Sequence, residues 1–388
     1  MLITFQPSER TSLGVEMELE VVDGRTRELH SAASEILTVL GRDHPGGVHP
    51  KAKHELLEST VEIITGICTT VAGARADLEG TLGELRAETD RRGLELLCSG
   101  THPFSRWEDQ RISPDPRYHQ LVDEMQWPAR RLQIFGIHVH VGVRSGEKAV
   151  AIANALSSYI PHFLAVSASS PFWLGADTGL ASVRSKVFEG LPTAGIPYQL
   201  AGWADFERFM TTLISARAIS SIREVWWDIR PHPDFGTVEL RICDGTPTMS
   251  EVAAVAAMSH CLVEWMNGVY DREGALPTSR GWIVRENKWR AARHGVDAEI
   301  IVDDDGHLVP LRDAVADLVA RLEPVAARLD CEAELRDLLT MVGRPSYVRQ
   351  REVVASGGTL VDVVDSLVAE LRTDRPWTPG PGASGPGG

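Results

Sequence analysis

The sequence is poor in cysteine, has no surplus of positive charge, and repeats itself at no fixed period. Its five cysteines, Cys68, Cys98, Cys243, Cys261 and Cys331, are odd in number and widely spread. With no C-x-x-C pair among them they support neither a disulfide framework nor a zinc cluster, and they read as reduced core residues, Cys243 alone being kept open. Lysine and arginine number 39 against 54 aspartates and glutamates, a net charge of -15. A chain this acidic is ill suited to nonspecific binding of nucleic acid or anionic membrane, and any phosphate it handles needs metal ions or local arginines. No apolar stretch approaches the roughly 20 residues of a membrane span, and the opening MLITFQPSER lacks the cationic and apolar regions of a signal peptide. A cytoplasmic protein is expected, with a homodimer as the assembly that base rates favour.

What is present is a chain of 388 residues, 43% hydrophobic and 24% charged, enough for a deep core. Short alternating strands occupy the first two thirds, with helical periodicity between and after them, so the class is α+β and not a regular βαβ repeat. Helices are expected in TTVAGARADLEGTLGELRAETDRRG, EKAVAIANALSSYIPHFLAV, SEVAAVAAMSHCLVEWM (opened by a capping box of Thr248 and Glu251), PLRDAVADLVARL and GTLVDVVDSLVAELR. IVDDDGHLVP reads as a small hairpin or turn. The ending RPWTPGPGASGPGG has the bias of a disordered segment, which divides the chain into one folded domain at 1–374 and a tail at 375–388.

Four stretches alternate in a way that gives each strand one apolar face and one chemically loaded face. In GVEMELEVVD, Glu16, Glu18 and Glu20 share a side and Val15, Met17, Leu19 and Val21 take the other. HELLESTVEIITG, read as a strand from Glu58, puts Glu58, Thr60 and Glu62 together, with Glu55 just ahead at a turn. QIFGIHVHVG sends His138 and His140 one way and Ile137, Val139 and Val141 the other. GTVELRICD does the same with Thr237, Glu239 and Arg241 against Val238, Leu240 and Ile242. Singly, each is an edge strand with a wet face, and a lone buried histidine is most simply one satisfied by a backbone carbonyl. Together they differ from ordinary exposed faces, which mix Thr, Lys, Arg, Ser and Glu. Carboxylates and imidazoles are the ligand set of Mg²⁺ or Mn²⁺, and a curved sheet with these faces turned inward would line a cup for several divalent cations.

Positive charge enters through SVRSKVFEGLPTAGIP, with Arg184 and Lys186, through WWDIRPHPDFG, with Asp228 and Arg230, and through RENKWRAARHG, with Asn287, Lys288 and Arg290 on an expected helix. Guanidinium forks suit phosphate or carboxylate. The plain reading of the last group is a solvated basic face; phosphate contact is the sharper one.

In their order, GVEMELE, ELLESTVEI, SGTHPFSRW, FGIHVHVGV, SVRSKVFEGLPTAG, WWDIRPHPDFGTVELRICD and ENKWRAARHG resemble the carboxylate-amine ligase family, also called glutamate-cysteine ligase type 2-like, from Leu13 to about Leu371. The resemblance implies a glutamine synthetase-like fold, a curved antiparallel sheet forming a funnel for ATP and metal with helices packed outside. It further implies metal ligation by Glu16, Glu18, Glu55, Glu62 and Glu239, a metal or substrate position for His138, phosphate contact by Arg241, and a clamp on the acid substrate at Arg184. His140, Arg230 and Lys288 join the expected substrate and ATP contacts, and Glu239 and Arg241 the catalytic set. Relatives often read G-V-E-E-E where this chain has Met17, and often Gln where it has Glu58. The implied reaction is ATP-dependent amide formation through an acyl phosphate, with small-molecule acid and amine partners. A metal-dependent phosphotransferase on a guanidino or amine group, and an amide hydrolase of the TIM-barrel kind suggested by H-x-H, are the alternatives.

Overall fold

The computed structural model describes residues 3–9 and 11–379. In chain order its strands are β1 (Leu13–Asp23), β2 (Ala52–His54), β3 (Thr60–Ile64), β4 (Leu94–Leu97), β5 (Ile137–Gly142), β6 (Phe172–Trp173), β7 (Ala176–Asp177), β8 (Ile229–His232), β9 (Thr237–Leu240), β10 (Glu299–Ile301) and β11 (Leu308–Pro310). Seven of them make one sheet in the order β2-β3-β1-β5-β9-β8, with β4 also on β1. Every pairing in it is antiparallel. β6–β7 and β10–β11 are separate hairpins, the second falling on the expected IVDDDGHLVP turn. An all-antiparallel sheet cannot be a TIM barrel, which removes the structural basis of the hydrolase alternative.

The four loaded strands lie side by side, and their register decides which side chains meet. Glu16 is level with His138 on one flank and Ile64 on the other, Glu18 with Glu62, and Gly14 with His140. His140 is level with Glu239, which is level with Arg230. Because period-two alternation holds in all of them, Val15, Met17, Leu19, Val61, Ile63, Ile137, Val139, Val141, Val238 and Leu240 emerge together on the opposite face, all but solvent-free. Helices Val71–Arg91, Gly146–Leu156 and Met249–Glu273 cover that face, and one apolar core runs from Leu13 to Leu371. Each fully buried aliphatic or Met side chain there contributes about 1.5–3 kcal/mol of transfer free energy. This apolar backing lets the polar face be shaped by chemistry and not by packing.

The expected helices form. The capping box at Thr248 and Glu251 opens Met249–Glu273, and Gly274, at φ 72, closes it in the left-handed region. EKAVAIANALSSYIPHFLAV becomes Gly146–Leu156 and Ile160–Ser167 joined by a 3₁₀ turn over Ser157–Tyr159. Contrary to the expectation of no membrane-length apolar run, Gly146–Ser167 and Met249–Glu273 are long and apolar enough to span a bilayer. Their apolar windows are instead 78% and 83% buried inside the protein. Two further expectations need correction. Strand β3 starts at Thr60 and not at Glu58, whose carboxylate accepts from the Ser34 backbone N–H and hydroxyl and caps the helix Ala33–Gly41. Glu58 therefore does not reach the loaded face. The tail does not begin at 375: Trp377 packs beside Val353 and Val363, donates its N–H to Glu370 (2.6 Å) and lies under the Arg344 guanidinium. Residues 380–388 lie outside the described residues.

Candidate active site

The loaded face is concave and bounds a cavity of about 920 Å³, at the upper end of the range for small-molecule sites. Glu16, Glu18, Glu55, Glu62, His138, His140, Arg184, Arg230, Glu239 and Arg241 all line it. For Glu16, Glu18, Glu62, His138, His140, Arg230 and Glu239, a sequence separation of more than two hundred residues is closed by strand register.

Glu16 is the hub. Its carboxylate is 3.1 Å from His138 Nδ1 and 3.4 Å from His140 Nε2. It is shared by two sets whose ligand atoms lie within 4.8 Å of one another: Glu16, Glu62 and His138, and Glu16, His140 and Glu239. Burial pushes the Glu16 carboxyl up, but hydrogen bonds and charge from the two histidines outweigh it and hold the group well below the usual range. His138 goes the other way: burial and the Arg241 charge bring its pKa down to about 4, so its ring is neutral and can offer a lone pair. His140 is raised, the carboxylates of Glu239 and Glu16 overcoming its burial.

Glu18, Glu55 and Glu62 form the acidic wall. Burial and the neighbouring Glu55 charge raise Glu18 to about 8, against a partial offset from Arg184 and the Gly136 N–H that it accepts. Glu55 is also raised, chiefly by burial, with the Leu56 N–H and the arginines at 117 and 241 opposing. Glu62 is driven well above its ordinary value by burial and then by Glu16 and Glu55. Three carboxylates taken out of water and set against one another are costly unless a cation joins them.

The opposite wall is already neutralised. Arg230 donates Nε and Nη2 to Glu239 Oε2 (2.9 and 2.6 Å) and Nη1 to the carbonyls of Ile222 and Val225 (2.9 and 3.0 Å). Arg241 binds the other Glu239 oxygen. Although burial opposes it, these two guanidiniums hold Glu239 well below the carboxylate range. Four of the five Arg230 N–H donors are thus committed within the protein, so its expected substrate contact gives way to a positioning role for Glu239. Arg184 lies across Gly136, where a Cβ would overlap its guanidinium, and donates to the carbonyls of Ile242 and Arg241 (both 3.2 Å). It faces the cavity with Nε bonded to none of the described residues.

The residues present fit divalent cations. His140 Nε2 sits between the carboxylates of Glu16 and Glu239 (3.4 and 3.7 Å), and Glu62 has no hydrogen bond or ion pair among the described residues. A buried carboxylate without a hydrogen bond, within ligand reach of Glu16 and His138, is what a ligand set looks like before its ion is counted.

Lys288 is not in this cavity. It is 1% exposed and bound to Asp228 (2.6 Å) and Glu189 (2.7 Å), so the expected substrate or ATP contact is replaced by a buried ion triad. The triad ties helix Gly281–His294 to the end of the Arg184-bearing helix and to the residue before β8. Its neighbour Asn287 pairs with the backbone of Ile301 (2.8 Å each way), and Arg290 with Glu286, so the motif docks helix and hairpin and touches no ligand space.

Sequence reasoning passed over Arg117 and Tyr118, His232 and Phe235, all of which line the cavity. Asp115 accepting from Arg117 N–H, with Pro116 at the first position, marks a helix start (Pro116–Met125) that was readable in SPDPRY. Tyr118 donates its hydroxyl to the His54 carbonyl (3.0 Å) and brings Arg117 to the Glu55 end.

Residues 12–346 match the model of glutamate-cysteine ligase family 2. A Frankia casuarinae protein provisionally named glutamate–cysteine ligase 2-1 is 58% identical over 382 residues, 98% of this chain and 100% of the relative. A Thermobifida fusca protein provisionally named glutamate–cysteine ligase 2 is 50% identical over 377 residues, 97% and 94% of the two chains. Among solved structures, the Francisella tularensis glutamate–cysteine ligase in complex with AMP is similar in fold. Its TM-score is 0.67 at 14% identity, covering 95% of this chain and 90% of that one. A bifunctional glutathione synthetase from Pasteurella multocida superposes at 0.64 and 14% identity, over 94% of this chain and 52% of its own.

Proposed function

The chain belongs to glutamate-cysteine ligase family 2, and from that premise we propose that its cavity activates a carboxylic acid with ATP and Mg²⁺ and joins it to an amine, with glutamate and cysteine the first pair to try. Membership makes it an ATP-dependent carboxylate–amine ligase acting on small molecules. The observation that supports the site assignment is Glu16 standing in two ligand sets at once, the arrangement that two neighbouring cations sharing one carboxylate would need.

A carboxylate resists attack by an amine because an oxide would have to leave. In the first step an oxygen of the acid attacks the γ-phosphorus of ATP in line, the bond to ADP breaks, and an acyl phosphate forms. In the second the amine nitrogen attacks the acyl carbon, phosphate leaves with the carbon–oxygen electron pair, and the nitrogen gives up a proton. Phosphoryl transfer of this kind depends on positioning and on neutralising the equatorial oxygens. Mg²⁺ held by Glu16, Glu62 and His138, and by Glu16, His140 and Glu239, with Glu18 and Glu55 adjoining, would supply that neutralisation. Arg241, anchored on Glu239, adds a fixed positive charge where negative charge develops. Arg184, held by two carbonyls, orients the acid substrate.

The test is phosphate release from ATP with Mg²⁺ across paired acids and amines, with mass spectrometry of the product. An amide whose formation matches ADP one for one is expected. ADP appearing with a phosphorylated amine and no amide would favour the phosphotransferase alternative.

A further inference from the structure

Phe235 is a large aromatic residue left 59% exposed at the rim of the cavity, on the turn between β8 and β9. Exposure alone means little, since Trp127, Tyr198 and Trp282 are about as open; what sets Phe235 apart is its place on the cavity and the way its ring is held. The ring is not loose. It stacks on His232 with centroids 4.2 Å apart and planes 7° from parallel, and His232 is buried, with its edge toward His140. The turn beneath it is pinned. Gly236, at φ 65, packs against the Gln6 carbonyl where any Cβ would overlap, Gln6 donates to the Pro233 carbonyl (2.9 Å), and Gly236 to that of His232 (3.0 Å). One face of the phenyl ring is covered by imidazole and the rest is presented, flat and fixed, at the cavity mouth.

Resting on the reading that the cavity takes ATP, we propose that Phe235 is the platform on which the base of the nucleotide stacks, so that ATP enters over the β8–β9 turn. Register supports this direction. His140 lies 5.5 Å from the Phe235 ring and 3.4 Å from Glu16, so a single side chain separates the platform from the shared ligand hub. A nucleotide with its base on Phe235 runs its phosphates inward along β5 and β9 toward Glu16, His140 and Glu239. The acid and amine then occupy the other end, where Glu55, Arg117, Tyr118 and Arg184 stand. Because every base has a π-face, stacking alone discriminates weakly between purines.

The experiment measures ADP binding to the full chain with Mg²⁺ by calorimetry, for wild type, Phe235→Ala, Phe235→Leu and Phe235→Trp, with pyrophosphate as a ligand that has phosphates but no base. Phe235 is exposed, so these variants retain the fold. Loss of the ring in the Ala and Leu variants is expected to weaken ADP roughly tenfold to a hundredfold, GDP in parallel, with Trp close to wild type and pyrophosphate unchanged in all. Wild-type affinity for ADP in Phe235→Ala, or equal losses for ADP and pyrophosphate, would overturn the platform while leaving the ligase reading intact. If the wild-type chain binds neither ADP nor pyrophosphate, the nucleotide reading itself fails and the platform falls with it.

Discussion

On the β5–β9–β8 side of the cavity, buried charges carry their counter-charges with them: Glu239 is gripped by Arg230 and Arg241. On the β1–β3 side, Glu18, Glu55 and Glu62 face one another with no lysine or arginine within ion-pair distance among the described residues. The first wall is the drier, with the Glu239 side chain 1% exposed against 13% for Glu18, and the two differ above all in where the neutralising charge comes from. The first wall is complete once the chain folds and serves as a rigid electrostatic backstop. The second is the one the proposed cations would complete, and Glu16, bonded to the histidines of one wall and repelling the carboxylates of the other, joins the two. On the proposed reading, folding supplies one half of the site and ligand binding the other.

The largest test of this contrast breaks the self-sufficient wall. Arg230→Met leaves Glu239 half-paired in a dry environment and frees the carbonyls of Ile222 and Val225, and a loss of about 3–5 kcal/mol in urea unfolding is expected. The double variant Arg230→Met, Glu239→Leu should recover only part of that stability while remaining inactive, because apolar volume replaces one pair but leaves Arg241 without its carboxylate. Equal stability of the single variant and wild type would show that this wall is not an internal ion pair. Breaking the other wall should do the reverse. Glu62→Gln removes a carboxylate that repels its neighbours, so the metal-free protein should melt no lower than wild type, while ATP turnover falls about a hundredfold or more. Near-normal phosphate release from that variant at limiting Mg²⁺ would remove Glu62 from the ligand set.

The same contrast sets the sign of a pH effect. Glu18 has a folded-state pKa of about 8 against an ordinary 4.5, so the folded state holds its proton more tightly than the unfolded chain. Stability contributed by that proton is present below the lower value and lost as pH rises to the upper one. His102, His138, His162 and His232, each held near 4 by burial, act in the opposite sense, but only below their ordinary 6.5. Between about pH 6.5 and about 8 the carboxylate should dominate, and urea midpoints measured in EDTA should decline across that window. The decline should be shallower in Glu18→Gln and in saturating Mg²⁺. An identical slope in the variant would deny Glu18 its raised pKa.

Much of this site was legible because strand alternation is a local rule. Glu16, Glu18, His138, His140, Glu239 and Arg241 each declared a face from two or three neighbours, and the sheet then had only to align them. The resemblance to known ligases added Glu55, which lies in the loop between β2 and β3, where no periodicity operates. What failed was of another kind. A charged side chain on a helix reads as a solvated face, yet Lys288 is among the most buried residues in the molecule because Asp228 and Glu189 converge on it from segments sixty and ninety-nine positions away. Glu58 obeyed the alternation but was captured by a helix N-terminus that begins at Ala33. Phe235 and Arg117 sit in turn and helix-start segments whose orientation toward a cavity is a tertiary fact.

The smallest expected effect is also the cleanest check on the geometry beneath both walls. Met17 lies between Glu16 and Glu18 in the chain, level with Ile63 and Ile137 across the sheet, and is fully buried on the face away from the cavity. Met17→Leu conserves volume in an apolar setting, so unfolding should shift by less than about 1.5 kcal/mol. Mg²⁺ affinity and turnover should stay at wild-type values, since the substituted side chain is separated from the ligands by the thickness of a strand. A variant that folds normally but binds Mg²⁺ more weakly would mean that residues 16 and 18 do not share a side. The proposed pair of cation positions sharing Glu16 would then lose its support.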